Sequence, residues 1–147
     1  MEWDVYLSGE IHTDWRDELK NRANAQNLPI NFTGPITNHE LSDDCGVTIL
    51  GAENNKFWHD HKGAKINAIR TRTAIENADI IIVRFGEKYK QWNAAFDAGS
   101  CAALGKPYIT LHDEDIIHPL KEVDAAAMAW AQTPGQVVEI LKYVTSK

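Results

Sequence analysis

The stretch from Asp79 to Leu111 constrains this chain most: DIIIVRFG, then EKYKQWNAAFDAGSCAALGKP, then YITL. The run Ile80-Ile81-Ile82-Val83 is short and β-branched, the composition of a strand buried on both faces. A polar, aromatic loop follows, and Asn93 is placed to cap the next helix through its side-chain oxygen. Gly105 offers a left-handed C-terminal residue, Pro107 blocks continuation, and Tyr108–Leu111 reads as the next strand. The residues Ala94, Ala95, Ala98, Gly99, Cys101 and Ala102 are small enough for the helix to lie tightly on a sheet. Such packing is the expected reason for Gly99, which costs a helix about 1 kcal/mol against alanine. In a strand–helix–strand unit a ligand sits outside the carboxyl ends of the strands, beside the helix N-termini. Asp97 therefore falls near any chemistry, although it also reads as an ordinary early-turn acid favoured by the helix dipole at about 0.3–1 kcal/mol.

The flanking segments repeat the alternation. Trp3–Ser8 reads as a first strand ending at Gly9-Glu10, where glycine lets the backbone approach a ligand. Thr13 or Asp14 opens a helix with Trp15, Leu19, Arg22 and Ala23 on one face, closed by Asn27 and Pro29. Ile30–Thr33 is a short second strand. Gly34 to Gly63 shows no sustained period, so the expectation there is long loops with a helical turn at Asn38–Asp43. Its His59-Asp60-His61 reads as extended chain with the two histidines on opposite sides. No third ligand stands at a metal spacing, and no metal site is expected. Lys62–Ala78 reads as a long helix carrying Arg70 and Arg72. His112-Asp113-Glu114-Asp115 reads as a solvated turn or a hydroxyl-binding cluster. Ala125–Ala131 has the length of a fifth strand, and Thr133-Pro134 opens a final amphipathic helix.

Five strands alternating with helices imply an α/β fold: a doubly wound, flavodoxin-like parallel sheet of order 2-1-3-4-5, helices on both faces, in one domain over 1–147. The switch point between strands 1 and 3 gathers Tyr6, Ser8, Gly9, Glu10, Arg84, Phe85, Gly86, Gln91, Trp92, Asn93, Asp97 and Asp113 around one crevice. Tyr6 and Trp92 each have a second reading as packed aromatics. The chain lacks G-x-G-x-x-G and the P-loop pattern, so dinucleotide and P-loop chemistry have no phosphate cradle here. The acid pair of receiver domains and a Ser-centred hydrolase elbow are also missing. With 15 Lys+Arg against 21 Asp+Glu, net −6, and no basic run, a nucleic-acid groove is not expected. No apolar stretch approaches the ~20 residues of a membrane span, and no signal-peptide pattern opens the chain. Two cysteines make no disulfide framework. The expected setting is the cytoplasm.

Three motifs carry a resemblance: V-Y-L-S-G at the start, A-D-I-I-I-V after a helix, and F-D-A-G followed by A-L-G-K-P. In this order they resemble the nucleoside 2-deoxyribosyltransferase superfamily, and within it the YtoQ family, whose likeness runs over nearly the whole chain. The resemblance implies a carboxylate nucleophile attacking the anomeric carbon of a nucleoside or nucleotide, no cofactor, and a homo-oligomer, a dimer or larger. Asp97 of Asp97-Ala98-Gly99 falls where the superfamily has the glutamate of E-x-G, and Tyr6 matches its nucleophile-holding tyrosine. The superfamily's base-contacting acid six residues earlier is Gln91 here, and its acid on the preceding helix is replaced around Thr71, between Arg70 and Arg72. An arginine there would suit a phosphate or a carboxylate. Hydrolysis to free base and sugar, and ligand binding without chemistry, are the competing expectations.

Overall fold

The computed structural model describes residues 1–147. Strands β1 (Trp3–Gly9), β2 (Ile30–Thr33), β3 (Ile80–Arg84), β4 (Tyr108–Leu111) and β5 (Ala129–Ala131) form one sheet of order β2-β1-β3-β4-β5, every pair parallel. This is the expected doubly wound sheet, and the order reverses between β1 and β3. The register sets Tyr6 opposite Ile81, Ser8 opposite Val83 and Gly9 opposite Arg84. The site-forming ends of the two central strands are thus level.

Alternation along the buried strands splits the core in two. Val5, Leu7, Ile80, Ile82, Ile109 and Leu111 point to the face covered by α1 (Trp15–Ala25) and α6 (Pro134–Thr145). Tyr6, Ile81, Val83 and Tyr108 point to the other face, under α4 (Trp92–Ala103) and the C-terminal end of α3 (Lys56–Asn77). Thr133 caps α6 by accepting from the Gln136 amide at 3.2 Å, with Pro134 at the first helical position. Gly105 ends α4 with φ +68°. No helix is long and apolar enough to cross a membrane.

Four expectations need correcting. The 34–63 region is not loop: it contains α2 (His39–Leu50), and α3 begins at Lys56. Both helices start on asparagine caps, Asn38 accepting from the Leu41 amide at 2.9 Å and Asn55 from the Phe57 amide at 2.8 Å. The two helices cross where a Cβ on Gly46 would lie 2.5 Å from the Gly63 nitrogen, so only glycine permits the approach. His59 and His61 therefore sit in the first turns of a helix. Second, Ala125–Ala131 divides into the end of α5 (Lys121–Ala126) and a three-residue strand β5, since alanine favours helix over strand. Third, Asn93 does not cap α4. The helix starts at Trp92 with Gln91 in the cap position and no side-chain cap bond. Fourth, Gly99 faces open space; Ala94, Ala98 and Cys101 make the buried stripe.

Candidate active site at the switch point

β1 ends in a turn that its own side chains hold shut. Gly9 has φ +104°, and a Cβ there would meet the Arg84 carbonyl oxygen at 2.2 Å, so β1 and β3 touch through a glycine. Glu10, only 3 % exposed, folds back over this turn; its carboxylate accepts from the His12 amide and from Thr13 Oγ1, the latter at 2.6 Å. Arg16 of α1 is also buried. Its guanidinium donates to the carbonyls of Leu7 (3.0 Å), Glu10 (2.6 Å) and Gly9 (3.1 Å), and burial lowers its pKa to about 10.

On the opposite face of β1, Ser8 and Tyr6 look toward α4. Ser8 is fully buried and its Oγ donates to Asp97 Oδ2 at 2.6 Å, a short charge-assisted bond. Burial raises the Asp97 carboxyl above its ordinary range, and the Ser8 bond opposes the rise by favouring the ionised form. Tyr6, 2 % exposed, has its hydroxyl raised by burial first, lowered by Thr71 and raised by the Asp97 charge. Tyr6 thus keeps its proton beside the carboxylate while Ser8 makes the direct hydrogen bond. Sequence reasoning placed Ser8 among substrate contacts, but its complete burial behind Asp97 makes it a support for the carboxylate.

A cavity of about 1200 Å³ opens in front of this pair. The structure brings Tyr6, Gly9, Glu10, Gln91, Trp92, Asn93 and Asp97 to its wall. The remaining sequence-predicted residues are elsewhere. Phe85 is core, packed with Ala94 and Ala98. Gly86 touches the Glu10 side chain, and its amide donates to Gln91 Oε1 at 3.0 Å, so Gln91 braces the loop between β3 and α4. Arg84 ends β3 off the cavity wall, with its Nε buried and unpartnered. Asp113 lies against Glu87, whose carboxyl its proximity raises, and not on the cavity wall. Trp92 is 72 % exposed, so it is not packed under its own loop.

Of the far wall, sequence reasoning reached only Arg70, Thr71 and Arg72 and missed the rest. That wall comes from Gly34–Ile36, Ser42 and α3, with Asn67, Ile69, Arg70 and Thr71 facing the space. The asparagine caps at Asn38 and Asn55 were the available signal for its helices. His12 meets the Tyr89 ring at 4.7 Å between centroids, linking the loops after β1 and β3 across the opening.

An all-parallel sheet with a crevice at its topological switch point is the architecture of the doubly wound proteins, and here the half-buried Asp97, bonded to Ser8, stands on that crevice's wall. A family model described as nucleoside 2-deoxyribosyltransferase YtoQ matches residues 6–145, and the chain belongs to that family. It is 44 % identical over 144 residues to the uncharacterized protein YtoQ of Bacillus subtilis (strain 168), covering 98 % of this chain and 97 % of that protein. Among solved structures it resembles a conserved protein from Enterococcus faecalis V583, with TM-score 0.69 and 12 % identity over 98 % of this chain and 99 % of that one. It also resembles the 2-deoxyribosyltransferase of the psychrotolerant Bacillus psychrosaccharolyticus, with TM-score 0.56 and 19 % identity over 92 % and 90 % of the two chains. At these identities the two structures bear on the fold alone.

Proposed function

We propose that this protein cleaves the N-glycosidic bond of a nucleoside or nucleotide and passes the pentosyl group to a second base, with Asp97 as nucleophile. The observation that carries the reading is the Asp97 carboxylate, anchored through one oxygen to Ser8 at 2.6 Å and placed on a cavity wall beside Tyr6. Bond cleavage builds positive charge on the sugar ring. A carboxylate at C1′ captures it as a glycosyl ester while the leaving base takes the bonding pair and then a proton. A second base, attacking C1′, then releases the carboxylate. The Ser8 bond holds Oδ2 away from the substrate, so Oδ1 is the attacking oxygen. Membership of a family described as nucleoside 2-deoxyribosyltransferase supports glycosyl transfer as the class of reaction.

One feature of the chain favours further readings to be tested beside transfer. The side chain at the nucleophile position is an aspartate, a methylene shorter than the glutamate of the family pattern, which suits water as acceptor or binding without chemistry. Incubation with a panel of nucleosides and nucleotides, with and without an acceptor base, separates the outcomes by chromatography. Base exchange only with an acceptor supports transfer, free base without one supports hydrolysis, and tight binding with no product supports a binding module. Product that persists in Asp97→Ala overturns the nucleophile assignment.

The functional unit in this reading is a cytoplasmic homo-oligomer of a one-domain chain. Leu41, Ile49, Leu50, Phe57 and Trp58 on α2 and α3 are all more than half exposed, as are Trp92 and Phe96 on α4. Large apolar side chains left exposed on neighbouring helices mark a surface that a second copy would cover. A monomer mass by light scattering at micromolar concentration ends this part of the proposal.

A further inference from the structure

The cavity inverts the charge of the protein around it. The chain carries 15 Lys+Arg against 21 Asp+Glu, yet the charged groups lining the cavity are Arg70, Arg72 and Lys90 against Glu10 and Asp97. Glu10 accepts at both carboxylate oxygens, from the His12 amide and Thr13, and turns away from the space, while Asp97 accepts from Ser8 through Oδ2 alone. Of the cations, Arg72 is tied to Glu76 at 3.0 Å, and Lys90 lies with its Nζ 5.6 Å from the centre of the Trp92 ring. Arg70 makes no hydrogen bond and no ion pair. It lines the cavity from α3 beside Thr71, while Asp97 lines it from α4.

A guanidinium with all its donors free on a cavity wall is a receptor for an anion. The space also has room for more than a bare nucleoside: about 1200 Å³ exceeds the roughly 300–1,000 Å³ of ordinary small-molecule sites. We propose that the ligand is a nucleoside 5′-monophosphate, its phosphate held by Arg70 on the α3 side of the cavity that Asp97 lines from α4. The inference rests on the glycosyl-transfer reading of the same site and adds the phosphate to it. The neutral Thr71 and Gln91 fit this division, because the wall then offers charge to the phosphate and only neutral groups beside it to the base.

Calorimetric titration of the full chain carrying Asp97→Asn, which prevents turnover, tests the assignment with paired nucleosides and their 5′-monophosphates. The monophosphate is expected to bind at least about tenfold tighter than its nucleoside, and added salt to erode that advantage. Arg70→Gln is expected to remove the advantage while leaving nucleoside affinity unchanged. Arg70 is exposed, so the substitution leaves the fold intact, and Lys142→Gln on α6 serves as a charge-matched control with no effect. Equal affinity for nucleoside and monophosphate, or a monophosphate affinity that Arg70→Gln leaves unchanged, overturns the proposal while the glycosyl-transfer reading stands. Ribose 5-phosphate binding as tightly as the nucleotide overturns the nucleotide in favour of a phosphosugar. If neither nucleosides nor monophosphates bind, and the wild-type chain turns over none of them, both the proposal and the reading beneath it fall.

Discussion

The two walls of the cavity are built on different principles. The Asp97 wall stands on the sheet: Tyr6 and Ser8 are buried, Ala94 and Ala98 of α4 pack on Ile81 and Val83, and the strands beneath are sealed on both faces. The opposite wall comes from a segment, 33–73, that contributes no side chain to either hydrophobic core cluster. Its helices hold each other through the Gly46–Gly63 crossing and through Asn67 Nδ2, which donates to the Ser42 carbonyl at 2.9 Å. In the proposed reading the reacting groups sit where the backbone is over-determined, and the recognising groups where it is cheap to change. This division lets a family keep one chemistry while varying what it accepts.

The largest effect that would sharpen this contrast is chemical. Asp97→Asn should reduce turnover by roughly 10³-fold or more while ligand affinity barely moves, read by chromatographic product assays beside calorimetry. Persistence of most of the activity would move the nucleophile elsewhere. Next comes stability. Ile82→Ala, fully buried in β3, should cost about 2–5 kcal/mol in denaturant unfolding. The same change at Ile49, 67 % exposed, should stay within about 0.5 kcal/mol at concentrations where the protein is monomeric. A large cost at Ile49 under those conditions would mean the arm has a core after all, and the contrast fails.

Smaller again is the effect at the mouth. Trp92→Ala should weaken ligand binding several-fold with an almost unchanged melting temperature, because an exposed indole contributes to stacking (about 1–3 kcal/mol per base in single-strand binders) and not to the core. Unchanged affinity would remove the stacking role. The smallest effect concerns pH. Burial raises the Asp97 carboxyl above its ordinary 3.8, so the folded chain holds this proton more tightly than the unfolded chain does. This contribution to stability therefore falls as pH rises from about 4 through the folded value, and above it the buried charge is a standing cost. Asp97→Asn should accordingly melt a few degrees above wild type at neutral pH, with the gap closing toward pH 4. A gap that widens on acidification contradicts the direction of the shift.

The fold was legible where burial imposes a pattern. Ile80–Val83 and Tyr108–Leu111 are buried on both faces, and the punctuation of Gly105 and Pro107 fixed their connection. The arm was illegible for the opposite reason. Its helices bury almost nothing but Gly46, Gly63 and Ile75, so no 3.6-residue stripe is written into them, and only the asparagine caps betray them. At the site, residue type located Asp97 and Tyr6, but the direction of a side chain does not follow from sequence. That is why Ser8 lies behind the carboxylate, Phe85 points into the core and Asp113 faces Glu87.

Arg16 has a wider consequence. Its helix belongs to the α1–α6 layer, on the side of the sheet remote from Asp97, yet its guanidinium gathers the Leu7, Gly9 and Glu10 carbonyls at the turn beside the cavity. The turn is therefore anchored from behind, like a tent pegged through to the far side of the canvas. Drift in the α1–α6 packing would tilt that turn without touching any ligand-facing residue, so the hidden layer shares in setting what the opening accepts.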